Sequence, residues 1–271
     1  GSSIASASII RDLSKDRGGT PEASIWFDSG ARLPACDAAR VNAVMSDAAA
    51  SDDSDLRNIV HAGTPLVSTC LALAELTGST GQDVLAAIVL GYEASGRIGE
   101  AITPVFQTRG FHGCLVAIFA GTVAASRLLK LDGAQMAQAI AISATSIGGL
   151  RTAADTSVAR EYHAGLATML GIQAALAAQR GYTAEENILE TPRGFFAVYG
   201  DTDGASVTQG LGESWDIVTD MAIKLVPGGH PSHALAEAAG NAASAGQIVP
   251  ADVETITLSR PGVTDLTGPI H

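Results

Sequence analysis

Apolar residues recur at three- and four-residue spacing through most of this chain. Ile4 to Leu13, Ala38 to Ala49, Pro65 to Leu76, Gln82 to Ile98, Cys114 to Lys130 and Ala134 to Ser146 each read as a helix. Glycine and proline supply the stops: Gly78 closes one helix and Thr103-Pro104 breaks the next. Gly148-Gly149-Leu150-Arg151 interrupts the series and puts Arg151 on a loop. A further helix begins within Val158-Ala159-Arg160-Glu161-Tyr162-His163 and runs to Arg180, ahead of Gly181. Ala23 to Phe27 reads as a brief extended segment, and Asn187 to Tyr199 ends the helical region in a short element. Beyond the Asp- and Gly-rich stretch Asp201 to Ser206, which has the composition of a linker, the texture changes. Met221 to Val226 and Val253 to Ser259 read as strands around a helix from His230 to Ala245, a β-α-β order. The pattern predicts a mainly α protein: a large helical domain over residues 1–205, then the beginning of a smaller α+β domain over residues 206–271.

Composition sharpens this picture. Of 271 residues 46% are hydrophobic but only 4% aromatic, and 30 are glycine, which favours helices packed closely through small residues over a sandwich of bulky strands. The net charge of −12, with no basic run, argues against nucleic acid and anionic membranes as partners. An anionic ligand would therefore need locally placed Arg, Lys and His. Cys36, Cys70 and Cys114 lie far apart without metal-type spacing and read as reduced thiols, which points to a cytoplasmic protein. No signal-peptide pattern is evident, and the apolar run Cys114 to Leu129 is short and carries Arg127, so no membrane span is expected.

The ionisable residues concentrate in two places. The first is Ala50 to His61, with Asp52, Asp53, Ser54 and Asp55 leading to His61 just before Ala62-Gly63-Thr64-Pro65. Thr64 fits an N-cap with Pro65 at the first helical position, and a helix N-terminus beside a histidine suits anion binding and proton exchange. His112, in Gly110-Phe111-His112-Gly113, stands before its own helix in the same way. The second place is Lys224 to His233, where Lys224, His230 and His233 offer a cation and two proton donors for a carboxylate. His230 and His233 also have the spacing of a metal pair, but no third ligand accompanies them and Lys224 would repel a cation, so no metal is expected. A solvated polar loop and a capped helix with surface histidines are the plain alternatives for the two clusters.

Several segments together resemble the MmgE/PrpD family. They are Ser51-Asp52-Asp53-Ser54 with His61-Ala62-Gly63-Thr64-Pro65, Gly110-Phe111-His112, Glu161-Tyr162-His163 through Gln179-Arg180-Gly181-Tyr182-Thr183, Pro192-Arg193-Gly194-Phe195-Phe196, and Lys224 to His233. The family includes 2-methylcitrate dehydratases, cis-aconitate decarboxylases and iminodisuccinate epimerases. The resemblance implies a helical domain and an α+β lid with a cofactor-free site between them, a homodimer, and acid–base chemistry next to a carboxylate. It also implies that the family's first helices and most of its lid lie outside this sequence, so that a fragment, or a second chain completing the lid, is expected.

By position, Asp52, Asp53, Ser54 and His61 match the family's acidic-loop site and His112 its second site histidine. His163 follows its substrate-binding lysine, while Lys224 and His233 match the lid-side cation and histidine. Four positions depart from the pattern. Ala50 replaces an aspartate, Asp47 a histidine, Arg160 that lysine, and His230 an arginine frequent among relatives. Arginine keeps a cation for a carboxylate but cannot give up a proton. The leading expectation is a lyase of the 2-methylcitrate dehydratase type on a small di- or tricarboxylate. Arg160, Lys224 and, less directly, Arg151 would hold carboxylates. His61 or His112 would move the proton, with Asp52 or Asp53 orienting it or acting as partner acid. Epimerase or decarboxylase chemistry of the same family is the alternative, and a non-catalytic carboxylate-binding remnant, or one half of a two-chain enzyme, is the reading outside enzymes.

Overall fold

A computed structural model describes residues 3–257 except Ile147, without the side chains of Ala154, Asp155, Thr156 and Pro231. In chain order the elements are α1 (Ala5–Arg17), β1 (Ala23–Ser24), β2 (Arg32–Leu33), α2 (Ala35–Ala48), β3 (Asp53–Asp55), α3 (Gly63–Thr77) and α4 (Gly81–Ile102). They continue as α5 (Val105–Thr108), α6 (Cys114–Leu128), α7 (Gly133–Ala144), α8 (Arg151–Thr156), α9 (Ala159–Gln179), α10 (Phe195–Gly200), α11 (Asp216–Thr219), β4 (Met221–Ile223) and α12 (His233–Gly246). The fold is mainly α, as the periodicity predicts, with two small antiparallel sheets, β1–β2 and β3–β4.

α6 is the axis of the bundle. Every residue of Cys114–Leu128 except Arg127 is buried, and α3, α4, α7 and α9 pack around it. A helix apolar on all sides has to be enclosed in this way. Small residues set the spacing: a Cβ on Gly171 would stand 3.1 Å from the Ile118 carbonyl, and one on Gly91 would stand 2.8 Å from that of Ala120. The buried hydroxyls of Thr122 and Ser143 pair with each other at 2.7 Å. Capping boxes start α4 (Thr80 with Asp83) and α7 (Asp132 with Gln135).

The chain falls into two compact units, Gly1–Ile223 and Lys224–His271. The expected β-α-β order past residue 220 is not what forms. Of Met221 to Val226 only Met221–Ile223 is a strand, and it pairs with β3 of the first unit. Val253 to Thr257 is not a strand, since Pro250–Asp252 forms a 3-10 turn ahead of it, while Leu258 and Ser259 lie outside the described residues. Apolar residues without a neighbouring strand have no ladder to join. No helix among the described residues is long and apolar enough to cross a membrane.

Candidate active site

The acidic run divides into a braced half and a reactive half. On the braced side, Arg57 pairs with Glu100 at 2.7 Å and with Asp216, and lies 3.9 Å from Asp55 and 3.5 Å from Asp220. Asn58 donates to the Gly96 carbonyl at 3.2 Å and accepts from the Val60 amide at 2.9 Å. β4 completes the hold by pairing Met221 with Asp55 and Ile223 with Asp53. Asp55, Arg57 and Asn58 therefore fix the backbone that carries the other half.

On the reactive side, the Nδ1 of His61 lies 2.7 Å from the Asp53 carbonyl, 2.8 Å from the Ser54 hydroxyl and 3.3 Å from Asp52 Oδ2. A carbonyl only accepts, so this network assigns the proton to Nδ1 and, in the neutral ring, the lone pair to Nε2. Asp52 would stabilise the ring once a second proton is taken. Ser54 is fully buried, and its contact holds the ring in place.

Asp53 does a second job. Its Oδ1 accepts the Gly63 amide at 3.1 Å, so a carboxylate from β3 caps α3. Thr64, expected as the cap, is instead buried inside the first turn, and Ala62 stands at the cap position with no side-chain bond. The Tyr92 hydroxyl also donates to Asp53. Burial pushes the Asp53 carboxyl up to about 6, against the opposing pull of the Tyr92 bond, and burial beside Asp53 pushes the Tyr92 phenol upward. A Cβ on Gly63 would run into both the Asp53 carboxylate and the Tyr92 hydroxyl, so the site needs glycine there.

His112 is held differently. The amide of Cys114, the first residue of α6, donates to its Nδ1 at 3.3 Å, which leaves the proton on Nε2. Burial, then the neighbouring His163, His61, Arg160 and Arg151, push its pKa down to about 4. At neutral pH it is an uncharged ring that donates from Nε2. Its turn is clasped to the one after α7: His112 N–H bonds the Gly149 carbonyl and Arg151 N–H bonds that of Gly110, both at 2.9 Å. Arg151, expected on a loop, is thus the exposed first residue of α8.

α9 brings His163, whose ring centroid is 5.1 Å from that of His112 and whose pKa burial also lowers. It brings Arg160 too, but two N–H donors of Arg160 are committed to Asp47, at 2.8 Å to Oδ2 and 2.6 Å to the carbonyl. Burial raises Asp47 to about 6 although Arg160 opposes this. A cleft of about 470 Å³ lined by Trp26, Phe27, Met45 and Ala49 reaches Asp52. Lys224, His230 and His233 belong to the second unit, where the rings of His230 and His233 lie 4.8 Å apart.

The structure thus gathers His61, His112, His163, Arg160 and Arg151 around one place in the first unit. It adds Tyr92 and Cys114, which sequence reasoning missed. Tyr92 is a polar tip on an otherwise apolar stretch of α4, and only its distance in sequence from Asp53 hid it. Cys114 follows His112 by two residues, but His163 lies far along the chain.

The cis-aconitate decarboxylase of Aspergillus terreus is 28% identical over 211 residues, covering 72% of this chain and 43% of its own length. Those of Homo sapiens and Mus musculus are each 28% identical, over 86% and 85% of this chain and 50% and 48% of their own lengths. The chain spans about half the length of these curated relatives. The MmgE/PrpD N-terminal domain matches residues 1–208, and the chain therefore belongs to the MmgE/PrpD family.

Proposed function

We propose that this chain carries the helical part of a cofactor-independent lyase, residues 1–205, with 206–271 beginning the lid, and that it moves a proton next to a carboxylate on a small di- or tricarboxylate. The observation that supports this is the pair of histidines with opposite tautomers: His61 presents a lone pair at Nε2, while His112 presents an N–H. One accepts a proton from carbon or returns it, and the other stabilises charge that develops on a substrate oxygen. In decarboxylation the bonding pair stays on carbon as carbon dioxide leaves, and protonated His61 supplies the proton. In dehydration His61 takes the proton alpha to a carboxylate and hydroxide departs with a proton from the site. The relatives named cis-aconitate decarboxylase make cis-aconitate the first substrate to offer. The nearby Arg160 and Arg151 would hold its carboxylates.

Proton NMR in D2O with cis-aconitate, 2-methylcitrate and iminodisuccinate, run beside His61→Ala, tests this reading. Turnover that the variant lacks is the expected result, and the product names the reaction. Equal turnover in the variant would remove His61 from the mechanism.

A further inference from the structure

We propose that His112, Cys114 and His163 form a site for a borderline-soft divalent cation, Zn2+ above all, and that the ion inhibits turnover by drawing the His112 ring away from the substrate oxygen it would otherwise serve. The blocking part rests on the function proposed above, while the binding part stands on geometry alone. One ligand atom from each of the three residues lies within 4.8 Å of the others. A tetrahedral zinc with bonds of about 2.0–2.3 Å holds its ligands roughly 3.3–3.8 Å apart, so side-chain adjustments of about 1 Å close the site. Nitrogen and sulfur together are a donor set for zinc rather than magnesium or calcium.

Three further observations point to the same spot. The Nδ1 of His163 is shielded from solvent and has no hydrogen-bond partner, which is a cost that a metal bond would remove. The Sγ of Cys114 is buried and lies 3.5 Å from the Gly148 carbonyl. Gly149 leaves the space open, since a Cβ there would stand 2.7 Å from Cys114 Sγ and 3.3 Å from His163 Nδ1. The Nδ1 of His112 is already unprotonated, so the ion replaces its 3.3 Å bond to the Cys114 amide without moving a ring proton. One proton leaves, from the Cys114 thiol to solvent, and the resulting thiolate offsets the charge of the ion beside Arg160 and Arg151. With three protein ligands the fourth position stays open for water or a carboxylate.

Cobalt(II) titration of the purified chain provides the test, because a thiolate ligand gives a charge-transfer band that histidine and carboxylate sites lack. The expected result is one equivalent of Co2+ with this band, displaced by Zn2+, abolished in Cys114→Ser and kept in a Cys36→Ser/Cys70→Ser double variant. The double variant keeps the test decisive even if Cys114→Ser fails to fold. No band in the wild-type chain, or a band that survives in folded Cys114→Ser, would overturn the site. Zn2+ should inhibit turnover less in Cys114→Ser by at least about tenfold, the loss that follows even when only a ligand's supporting partner is removed. Binding without inhibition would overturn the blocking role alone. A chain that binds cobalt but turns over no substrate would count against the lyase reading and leave the metal site standing.

Discussion

The turn before α3 and the turn before α6 each place a histidine two residues ahead of a helix start, His61 before Gly63 and His112 before Cys114. In the first, oxygen groups surround the ring: the Asp52 carboxylate, the Asp53 carbonyl and the Ser54 hydroxyl all converge on Nδ1. In the second, the helix amide itself binds Nδ1 and the nearby charges are cationic. A carboxylate thus stands beside the first ring, whereas burial and cationic neighbours oppose a charge on the second. Position relative to a helix thus says little about a histidine's role until the partners of each nitrogen are known.

Glutamine substitutions probe this contrast most strongly. His61→Ala should cost turnover toward the upper end of the roughly 10²- to 10⁴-fold that a general base provides, and His61→Gln should recover none of it, since an amide is no base. His112→Ala should cost on the order of 10²-fold, and His112→Gln, which keeps an N–H donor, should regain about tenfold of that. Steady-state rates with cis-aconitate decide, and equal behaviour of the two glutamine variants would break the assignment of opposite roles.

Gly63→Ala acts on the acidic side alone. Its methyl group would displace Asp53 from the α3 amide and from Tyr92, with an expected loss of about 1–3 kcal/mol. Urea unfolding checks this, and an unchanged midpoint would mean that the carboxylate is not held as described.

The pH response sharpens the other side. The folded-state pKa of His112 is depressed, from an ordinary value of 6.5 to about 4, so between these values the folded chain binds fewer protons than the unfolded one. His112 therefore withdraws stability as pH falls through that window and has no such effect above it. Asp47 and Asp53, raised to about 6, work in the opposite direction between pH 4 and 6, so the difference between wild type and His112→Gln is the informative quantity. Thermal unfolding of the two proteins from pH 4 to 7 should show their gap changing steadily. A constant gap would mean that the ring titrates normally.

The smallest effect is expected at Thr64. Its buried hydroxyl has no hydrogen-bond partner, so Thr64→Val should change stability by no more than about 0.5 kcal/mol, whereas loss of a true N-cap costs about 1 kcal/mol. The urea midpoint distinguishes the two.

The sequence alone determined the helices, because a 3.6-residue apolar period is a local property, and it marked His61 and His112 through polar turns between apolar runs. It also determined how closely the helices pack, since glycine and alanine on α4, α6 and α9 admit few other distances. Only the tertiary structure decided the chemistry. Asp53 caps α3 and meets Tyr92 of α4, Asp47 of α2 takes two donors of Arg160 on α9, and His163 arrives beside Cys114 from far along the chain. Nor could local pattern show that Met221–Ile223 would pair with β3 rather than within its own segment. Protonation depends on burial and on charges brought close through space, and neither is written in the order of residues along one helix.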